Sequence, residues 1–378
     1  MISRRSFGKS LGIAASASIA GAITGVAGYE PAMAQRALVG TAPEGTIWLN
    51  ANENPAGPCI ASLVAMSQVL ATSGRYHYQE FPDFYKAVAL SEHLDAAQVL
   101  VGSGSSEILH TAIEAFTSPT RPLIQSAPTY EFPGEVVRAA GHPVITVPLR
   151  KDYSADVKAI AEEAVKAKGG LIYICNPNNP TSSITSKDDI AWLVANLPTG
   201  TVLMVDEAYL HFSDSPKIES ALRFVRDGKD VVVTRTFSKI YGMAGLRVGF
   251  GAAKPELIAK MAPYRNNVIC YISAKATVAA LNDTTLLPQR KKQMSATRGA
   301  VCDWLTSKNL KFIEPHANFM MIEVGRDARE IIPKMLAHGV AIGRRFPDLN
   351  NMVRVTIGTD SEMEKFQDVF WQVLQTTG

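Results

Sequence analysis

The feature that most constrains the fold is a β-branched run that leads directly into a lysine motif. Residues 230–234 (Asp-Val-Val-Val-Thr) predict a buried parallel strand. Thr236, Ser238 and Lys239 follow, and Arg247 stands eight positions after the lysine. Open α/β sheets bind ligands at the carboxyl ends of their strands, where a lysine can form a Schiff base with a carbonyl compound. Hydroxyls and an arginine can hold a phosphate. The alternative is a solvated surface lysine.

The composition is that of a globular protein with a large core. Hydrophobic residues make up 47% of the 378 positions and charged residues 19%, which suits one or two domains. The formal net charge of +3 implies no general attraction to nucleic acid. The cysteines are far apart, so they predict no metal site, redox pair or disulfide framework. They are Cys59, Cys175, Cys270 and Cys302.

The first residues predict an export signal rather than part of the fold. Residues 3–9 (Ser-Arg-Arg-Ser-Phe-Gly-Lys) resemble the twin-arginine motif, and a weakly apolar stretch rich in alanine and glycine follows. Ala32-Met33-Ala34 then has the small-x-small pattern of a cleavage site before Gln35. The twin-arginine machinery carries folded proteins, so we expect a periplasmic or secreted protein that begins near Gln35. The alternative is a membrane anchor, for which the stretch is short.

A second candidate ligand loop lies between a predicted strand and a helix. Residues 102–107 (Gly-Ser-Gly-Ser-Ser-Glu) open the helix, and helix N-termini attract anions. The loop lacks the Gly-Lys-Ser/Thr of a Walker motif and the third glycine of a dinucleotide fingerprint. Further on, Tyr130 follows a predicted strand end, where an aromatic ring can stack on a flat heterocycle. Core packing is the alternative for this ring.

Together these motifs resemble one enzyme family. Residues 234–249 resemble the lysine motif of fold-type-I pyridoxal-phosphate-dependent aminotransferases (class I/II), most closely the histidinol-phosphate aminotransferase group. Residues 49–55 (Leu-Asn-Ala-Asn-Glu-Asn-Pro) look like a loop near the start of that group. The resemblance implies an α/β fold, with a large domain whose mostly parallel sheet lies between helices and a smaller α/β domain. It also implies a homodimer with active sites at the subunit interface.

The resemblance assigns a pyridoxal 5'-phosphate site to residues spread along the chain. In the predicted catalytic set, Lys239 bonds the cofactor, Asp206 keeps its ring nitrogen protonated and Tyr130 stacks on the ring. For Asp206, a helix cap is the alternative when the residue is considered alone. For Tyr76, which follows Arg75, there are two alternatives: Tyr78 contacts the cofactor instead, or these tyrosines form an exposed aromatic cluster. The other predicted contacts, to the cofactor's phosphate or phenolic oxygen, are Ser105, Ser106, Asn179, Tyr209, Thr236, Ser238, Arg247 and Tyr76, the last from the neighbouring subunit.

The resemblance places the substrate site at Arg354. A buried arginine within an apolar, alternating strand needs an anion, and this one matches the family's clamp for the substrate α-carboxylate. Asn318 and Asn52 match residues near the same site. Arg344 and Arg345 stand where the group has residues near the distal end of the substrate. A solvated basic pair is the alternative for these two arginines.

The apolar patterns outside these motifs predict alternating helices and strands, with turns over residues 48–55. Predicted helices cover residues 59–72, 84–93, 108–116, 255–261, 274–281, 289–305, 328–338 and 361–375. Predicted strands cover residues 98–101, 122–124, 170–175, 201–205, 230–234, 312–313, 319–324, 340–342 and 352–357.

The motifs and the resemblance divide the chain into four segments. Residues 1–34 are the predicted twin-arginine signal peptide, and residues 35–73 form an N-terminal arm and part of the small domain. Residues 74–265 form the large pyridoxal-phosphate-binding domain. Residues 266–378 form the small C-terminal domain.

The function implied by the resemblance is transamination, in which an amino group moves from an α-amino acid, or a related amine, to a 2-oxo acid. Both substrates are small molecules, and the reaction calls for no metal. Predicted export argues against a step of histidine biosynthesis. Two alternatives use the same scaffold: a pyridoxal-phosphate-dependent lyase, decarboxylase or cyclase, and a non-catalytic protein that binds the cofactor.

Overall fold

The structure, a computed structural model, describes residues 42–266 and 268–376. The predicted signal peptide and its cleavage site before Gln35 lie outside these residues. Within them, no helix is both long and apolar enough to cross a membrane.

The described residues contain the following strands, numbered in chain order. They are β1 (Ile47–Leu49), β2 (Val99–Gly102), β3 (Leu123–Ala127), β4 (Val144–Pro148), β5 (Gly170–Cys175), β6 (Thr201–Asp206), β7 (Val231–Thr236), β8 (Gly249–Ala253), β9 (Phe319–Glu323), β10 (Val340–Ile342) and β11 (Met352–Thr356).

The helices of the described residues are numbered in the same way. They are α1 (Ile60–Val69), α2 (Phe81–Ser91), α3 (Ser105–Phe116), α4 (Phe132–Ala139), α5 (Val157–Lys166), α6 (Lys187–Ala195), α7 (Leu222–Arg226), α8 (Pro255–Met261), α9 (Tyr271–Leu281), α10 (Leu286–Ser307), α11 (Ala328–Ala337) and α12 (Asp360–Gln375).

A seven-stranded sheet forms the centre of the fold. Its strand order is β2-β8-β7-β6-β5-β3-β4, and its neighbouring strands are parallel except where β8 pairs with β2 and β7. Parallel neighbours need long crossover connections, and helices supply them here. The predicted α/β fold with a mostly parallel sheet is therefore confirmed.

Alternate residues of the central strands pack into two different cores. In β6, Leu203 and Val205 belong to one cluster of buried apolar side chains, while Val202 and Met204 belong to the other. The strand period of two sends successive side chains to opposite faces, so both faces of the sheet are buried. Residues of α2, α5 and α6 cover the first face and residues of α3 and α8 the second. Burial on both faces explains why these strands appear in the sequence as continuous apolar runs.

The C-terminal part contributes two small sheets. Strand β9 pairs antiparallel with β11, and β10 pairs parallel with β1 from the start of the described chain. Helix α12 begins with a capping box formed by Thr359 and Glu362, and its Phe366 and Phe370 are fully buried. Strand β11 carries Arg354.

Two predicted elements are wrong in the structure. Residues 48–55 were expected to form turns, but Trp48 and Leu49 belong to β1, because Leu49 is buried and pairs with Ile342 of β10. Residues 312–313 were expected to form a strand, but Phe312 makes only an isolated bridge to Ile322.

Gly45–Gly378 forms one compact unit. The finer division at residues 73/74 and 265/266 stays a prediction.

Candidate active site

The predicted catalytic residues lie where four neighbouring parallel strands end. Lys239 follows β7, Asp206 ends β6, Asn179 follows β5 and Tyr130 follows β3. These strands stand side by side in the order β7-β6-β5-β3. Because parallel strands end at the same edge of a sheet, residues far apart in sequence meet there.

Lys239 has a reactive environment. Its ammonium group donates to the carbonyl of Ala51 at 3.3 Å and lies 5.6 Å from the centre of the Tyr209 ring. Burial, followed by the positive charge of Arg354, lowers the pKa of Lys239 to about 8. An appreciable share of this lysine is therefore neutral near physiological pH, and the neutral amine is the nucleophilic form.

Asp206 is a buried carboxylate held by uncharged donors. Its Oδ1 accepts from the Thr234 hydroxyl at 3.0 Å and the Ala208 backbone at 3.2 Å, and its Oδ2 accepts from the Tyr173 hydroxyl at 3.1 Å. Burial outweighs these donors and raises the pKa of Asp206. The helix-cap alternative does not apply, since the next helical turn begins only at Leu210.

A cradle suited to a phosphate lies beside Lys239. Gly104 has a φ of 74°, and a Cβ there would collide with the guanidinium of Arg247. That guanidinium donates to Ser238 Oγ at 3.3 Å, and the Thr236 hydroxyl donates to the same oxygen at 2.9 Å. Ser105 is the first residue of α3, directly after the N-cap Gly104. Hydroxyls, a guanidinium and a helix N-terminus therefore converge on a loop kept narrow by glycine, which fits a phosphate group.

Tyr130 stands at the other end of this cradle. Its phenol lies near Ser106, and its ring centre lies 6.1 Å from that of Phe132. Burial, then the negative charge of Asp206, raises the pKa of Tyr130 to about 12. The phenol therefore stays protonated near neutral pH.

Arg354 has no anionic partner among the described residues. Its Nη1 donates to Asn179 Oδ1 at 2.8 Å, and its Nη2 donates to the carbonyl of Asn50 at 2.9 Å. Its Nε is buried and makes no hydrogen bond. Burial lowers the pKa of Arg354 to about 10. A buried guanidinium with an unused donor is poised to bind an anion that the chain itself does not supply.

Asn52 and Asn318 fasten the loop over Lys239. Asn52 donates its side-chain amide to the Tyr209 hydroxyl at 3.2 Å and its backbone amide to Thr356 Oγ1 at 2.9 Å. Asn318 donates to the carbonyl of Asn52 at 3.1 Å, while its buried Oδ1 has no partner. The two asparagines thereby hold the carbonyl of Ala51 against the lysine.

Two predicted site residues stand outside this hydrogen-bonded group. Tyr76 is 69% exposed and stacks on Tyr78 with ring centres 5.1 Å apart. Arg344 lies nearer to this group than Tyr76 does. Its guanidinium is 4.4 Å from the centre of the Phe346 ring, and it forms an ion pair with Glu131. The prediction that Tyr76 acts in a neighbouring subunit concerns a partner chain and stays a prediction.

The sequence analysis did not identify Tyr173, Thr234 or Glu131 as site residues. Tyr173 is fully buried on β5, and a buried tyrosine hydroxyl needs a partner. The sequence therefore indicates that the Tyr173 hydroxyl needs a hydrogen-bond partner, but it does not show that this partner is Asp206. Thr234 lies directly opposite Asp206 in the register of β6 and β7, which only the structure reveals.

This sheet with a lysine, a buried carboxylate and a phosphate cradle at one edge defines a class, the fold-type-I pyridoxal-phosphate-dependent enzymes. The family described as aminotransferase class I and II matches residues 44–370. The chain therefore belongs to that family, and it is a pyridoxal-phosphate-dependent aminotransferase.

Comparisons with individual proteins agree. The chain is 32% identical over 341 residues to histidinol-phosphate aminotransferase from Moorella thermoacetica, covering 87% of this chain and 85% of that protein. It is 31% identical over 336 residues to aromatic amino acid aminotransferase from Cutibacterium acnes, covering 88% and 94%. The crystal structure of histidinol-phosphate aminotransferase from Sinorhizobium meliloti in complex with pyridoxal-5'-phosphate matches with a TM-score of 0.85 and 23% identity, covering 94% of this chain and 100% of that one. This last likeness concerns the fold.

Proposed function

We propose that this aminotransferase moves an amino group from an α-amino acid to a 2-oxo acid, with Arg354 binding the α-carboxylate of each in turn. The observation that carries the proposal is that the Arg354 guanidinium donates only to an amide oxygen and a backbone carbonyl and has no anionic partner among the described residues. Arg354 and Lys239 donate to the carbonyls of two adjacent residues, Asn50 and Ala51, so the two groups lie close together. An α-carboxylate bound at Arg354 therefore brings the α-carbon of the same substrate toward the lysine.

The chain's own residues have distinct tasks in this proposal. Bound pyridoxal phosphate supplies an electron-withdrawing pyridinium ring that stabilises negative charge at the substrate α-carbon. Asp206 would pair with the ring nitrogen of the bound cofactor, and Asn179 and Tyr209 would hydrogen-bond its phenolic oxygen. Lys239, neutral in part because of its lowered pKa, carries the proton to and from the α-carbon as general base and acid.

The phosphate is assigned to the cradle already described. Arg247 supplies a guanidinium, and α3 supplies its N-terminal amides and the hydroxyls of Ser105 and Ser106. Thr236 supports Ser238 by a hydrogen bond, so it orients that hydroxyl. Arg344, with its guanidinium near Phe346 and Arg354, belongs to the distal end of the substrate pocket.

The test is a donor and acceptor panel on the holoenzyme and two variants. We expect new pairs of amino acid and 2-oxo acid from the wild type and no measurable turnover from Lys239→Ala. Arg354→Gln should raise KM for the donor by about 100-fold, because it removes a buried charge-assisted contact. Lys260→Ala, at an exposed lysine, serves as the control. Carbon dioxide or an elimination product in place of a 2-oxo acid, or turnover retained by Lys239→Ala, would contradict the proposal.

We also propose a homodimer. Helix α1 packs one side against α9, where Ser62 donates to the carbonyl of Ala276 at 2.7 Å. Its other side exposes Ile60 (80%), Leu63 (50%) and Val64 (50%). A row of exposed apolar side chains on one helix favours a protein contact. Sedimentation of the wild type should give twice the chain mass, and Leu63→Glu should reduce it. A wild type that sediments at the mass of one chain would contradict this.

Export through the twin-arginine pathway is the third part of the proposal. Its support is the motif around Arg4 and Arg5 and the small residues before Gln35, all outside the described structure. We expect Arg4→Lys/Arg5→Lys to retain the protein in the cytoplasm, as judged by cell fractionation. N-terminal sequencing of the exported protein should begin near Gln35. An intact Met1 in the membrane fraction would favour an anchor instead.

A further inference from the structure

Two arginines follow β10, and each is already paired with a carboxylate. Arg344 forms an ion pair with Glu131, which lies just beyond Tyr130 at the start of α4. Arg345 donates through Nε to Asp327 Oδ1 at 3.0 Å, and Asp327 also pairs with Arg329. The hydrogen bonds from Arg329, and to a lesser extent the one from Arg345, hold the pKa of Asp327 below its usual range. The chain therefore balances the positive charge of Arg344 with Glu131, while Arg345 shares Asp327 with Arg329.

The surface between these pairs and the substrate clamp is aromatic. Phe346 is 4% exposed, and it lies between the guanidinium of Arg344 at 4.4 Å and that of Arg354 at 5.1 Å from its ring centre. Arg354 also lies 5.6 Å from the centre of the Phe319 ring. One buried ring therefore connects the substrate clamp to the Arg344–Glu131 pair.

We propose that Glu131 is a specificity-determining residue, which selects amino donors with an uncharged aromatic or large apolar side chain against donors that end in a phosphate or carboxylate. The inference rests on the proposed binding of the α-carboxylate at Arg354. An anionic end must separate Arg344 from Glu131 and then lie beside the freed Glu131 carboxylate. Repulsion between like charges and the loss of an ion pair both oppose such a donor. An uncharged ring leaves the pair intact.

The first experiment measures binding without turnover. The ligands are 3-phenylpropionate and 3-phosphonopropionate, which share a carboxylate for Arg354 and differ only in the distal group. Calorimetry on the wild-type holoenzyme should show 3-phenylpropionate binding at least about tenfold more tightly. Glu131→Gln should improve the binding of 3-phosphonopropionate by about fivefold, as expected for a partly exposed ion pair, and should leave that of 3-phenylpropionate within about twofold.

The matched control is Glu135→Gln, which removes the same charge from the next turn of α4. Glu135 is exposed, and the described structure gives it no ion pair. This variant should change the binding of both ligands by less than about twofold. Equal effects of the two substitutions would mean that net charge alone sets the preference, and the proposal would then be wrong.

The second experiment is a kcat/KM comparison of phenylalanine, aspartate, lysine and histidinol phosphate as donors. The wild type should favour phenylalanine, and Glu131→Gln should narrow the gap to aspartate and histidinol phosphate. A wild-type preference for histidinol phosphate or aspartate would overturn the role of Glu131 while leaving transamination intact. A preference for lysine would show that Glu131 pairs with the substrate instead, which also overturns it. Inactivity with every donor, together with loss of carboxylate binding at Arg354, would overturn the proposed function itself.

Discussion

Two adjacent acidic residues at the end of β6 have opposite surroundings. Glu207 is paired with a cation: its Oε2 accepts from Arg235 Nη2 at 2.9 Å and Nε at 3.1 Å, and its Oε1 accepts from the backbone of Ala221 at 2.6 Å. Arg235 reaches a second carboxylate, Glu92, at 2.8 Å. Asp206 is as deeply buried, but its partners are hydroxyls and one backbone amide.

The alternation of β7 produces this difference. Thr234 and Arg235 are neighbours on that strand, so their side chains leave opposite faces of the sheet. Thr234 reaches Asp206 on one face, and Arg235 reaches Glu207 on the other. A carboxylate neutralised by its own chain contributes to the fold. A carboxylate that receives only neutral donors keeps a negative charge available for a cationic group of a ligand, which in the proposed function is the ring nitrogen of pyridoxal phosphate.

The largest effect is expected when the charge of Asp206 is removed without changing its shape. Asp206→Asn should lower kcat by about 10³-fold, since an electrostatic contact in a buried site is lost. The fold should persist, because the amide oxygen can keep the Thr234 and Ala208 bonds and the Tyr173 hydroxyl can turn to accept from the amide. Steady-state turnover and circular dichroism check this. If Asp206→Asn kept more than a tenth of wild-type kcat, the charge of Asp206 would not be catalytic, and the proposed difference between Asp206 and Glu207 would be wrong.

Glu207→Gln should show the reverse pattern, a loss of stability with little change in kcat. Weakening a buried ion pair leaves Arg235 less well neutralised, so the free energy of unfolding should fall by about 3 kcal/mol, while kcat stays within about threefold. Denaturant unfolding measures the first quantity and steady-state kinetics the second. The control is Glu219→Gln, which removes an exposed pair with Arg223 and should cost less than about 1 kcal/mol. A large loss of kcat with little loss of stability would place Glu207 in the catalytic site.

Tyr173→Phe, which removes one hydrogen-bond donor to Asp206, should lower kcat less than Asp206→Asn does. The variant removes the donor to Asp206 Oδ2 and should raise the pKa of that carboxyl further, because fewer donors then favour its charged form. A hydrogen bond to a charged group contributes about 1.5 kcal/mol, so kcat should fall about tenfold and the cofactor should dissociate faster. Tyr264→Phe, at an exposed tyrosine, should change neither quantity. An unchanged cofactor dissociation rate in Tyr173→Phe would mean that Tyr173 only fills space.

The contrast also shows what the sequence could predict. Continuous apolar runs followed by polar loops predicted β5, β6 and β7 and placed Lys239, Asp206 and Asn179 at one edge of a sheet. Those elements are the ones whose burial on both faces leaves a strong local pattern. The glycine-rich β8 has a weaker pattern and was not predicted. Strand β4 was also not predicted, although its Val-Ile-Thr-Val run is β-branched.

Pairings across strands were beyond the sequence. Thr234 meets Asp206, and Arg235 meets Glu207, through the register of two strands that are separated by α7 in the chain. The Arg344–Glu131 pair joins residues that are 213 positions apart. No periodicity reports such contacts, because they depend on how the elements pack in three dimensions.

The smallest expected effect concerns stability against pH in the protein freed of its cofactor. Burial raises the pKa of Asp206 in the folded state above its unfolded value of about 3.9. The protonated form is therefore favoured by folding, and this contribution is complete below pH ~4 and is lost as pH rises through the folded-state pKa. Asp206→Asn cannot lose a proton, so it should be more stable than the wild type at neutral pH, and the difference should shrink as pH falls toward 4. Denaturant unfolding of both cofactor-free proteins from pH 4 to 8 measures this. A difference that is constant with pH, or that grows in acid, would mean that Asp206 is as well compensated as Glu207 even without a ligand.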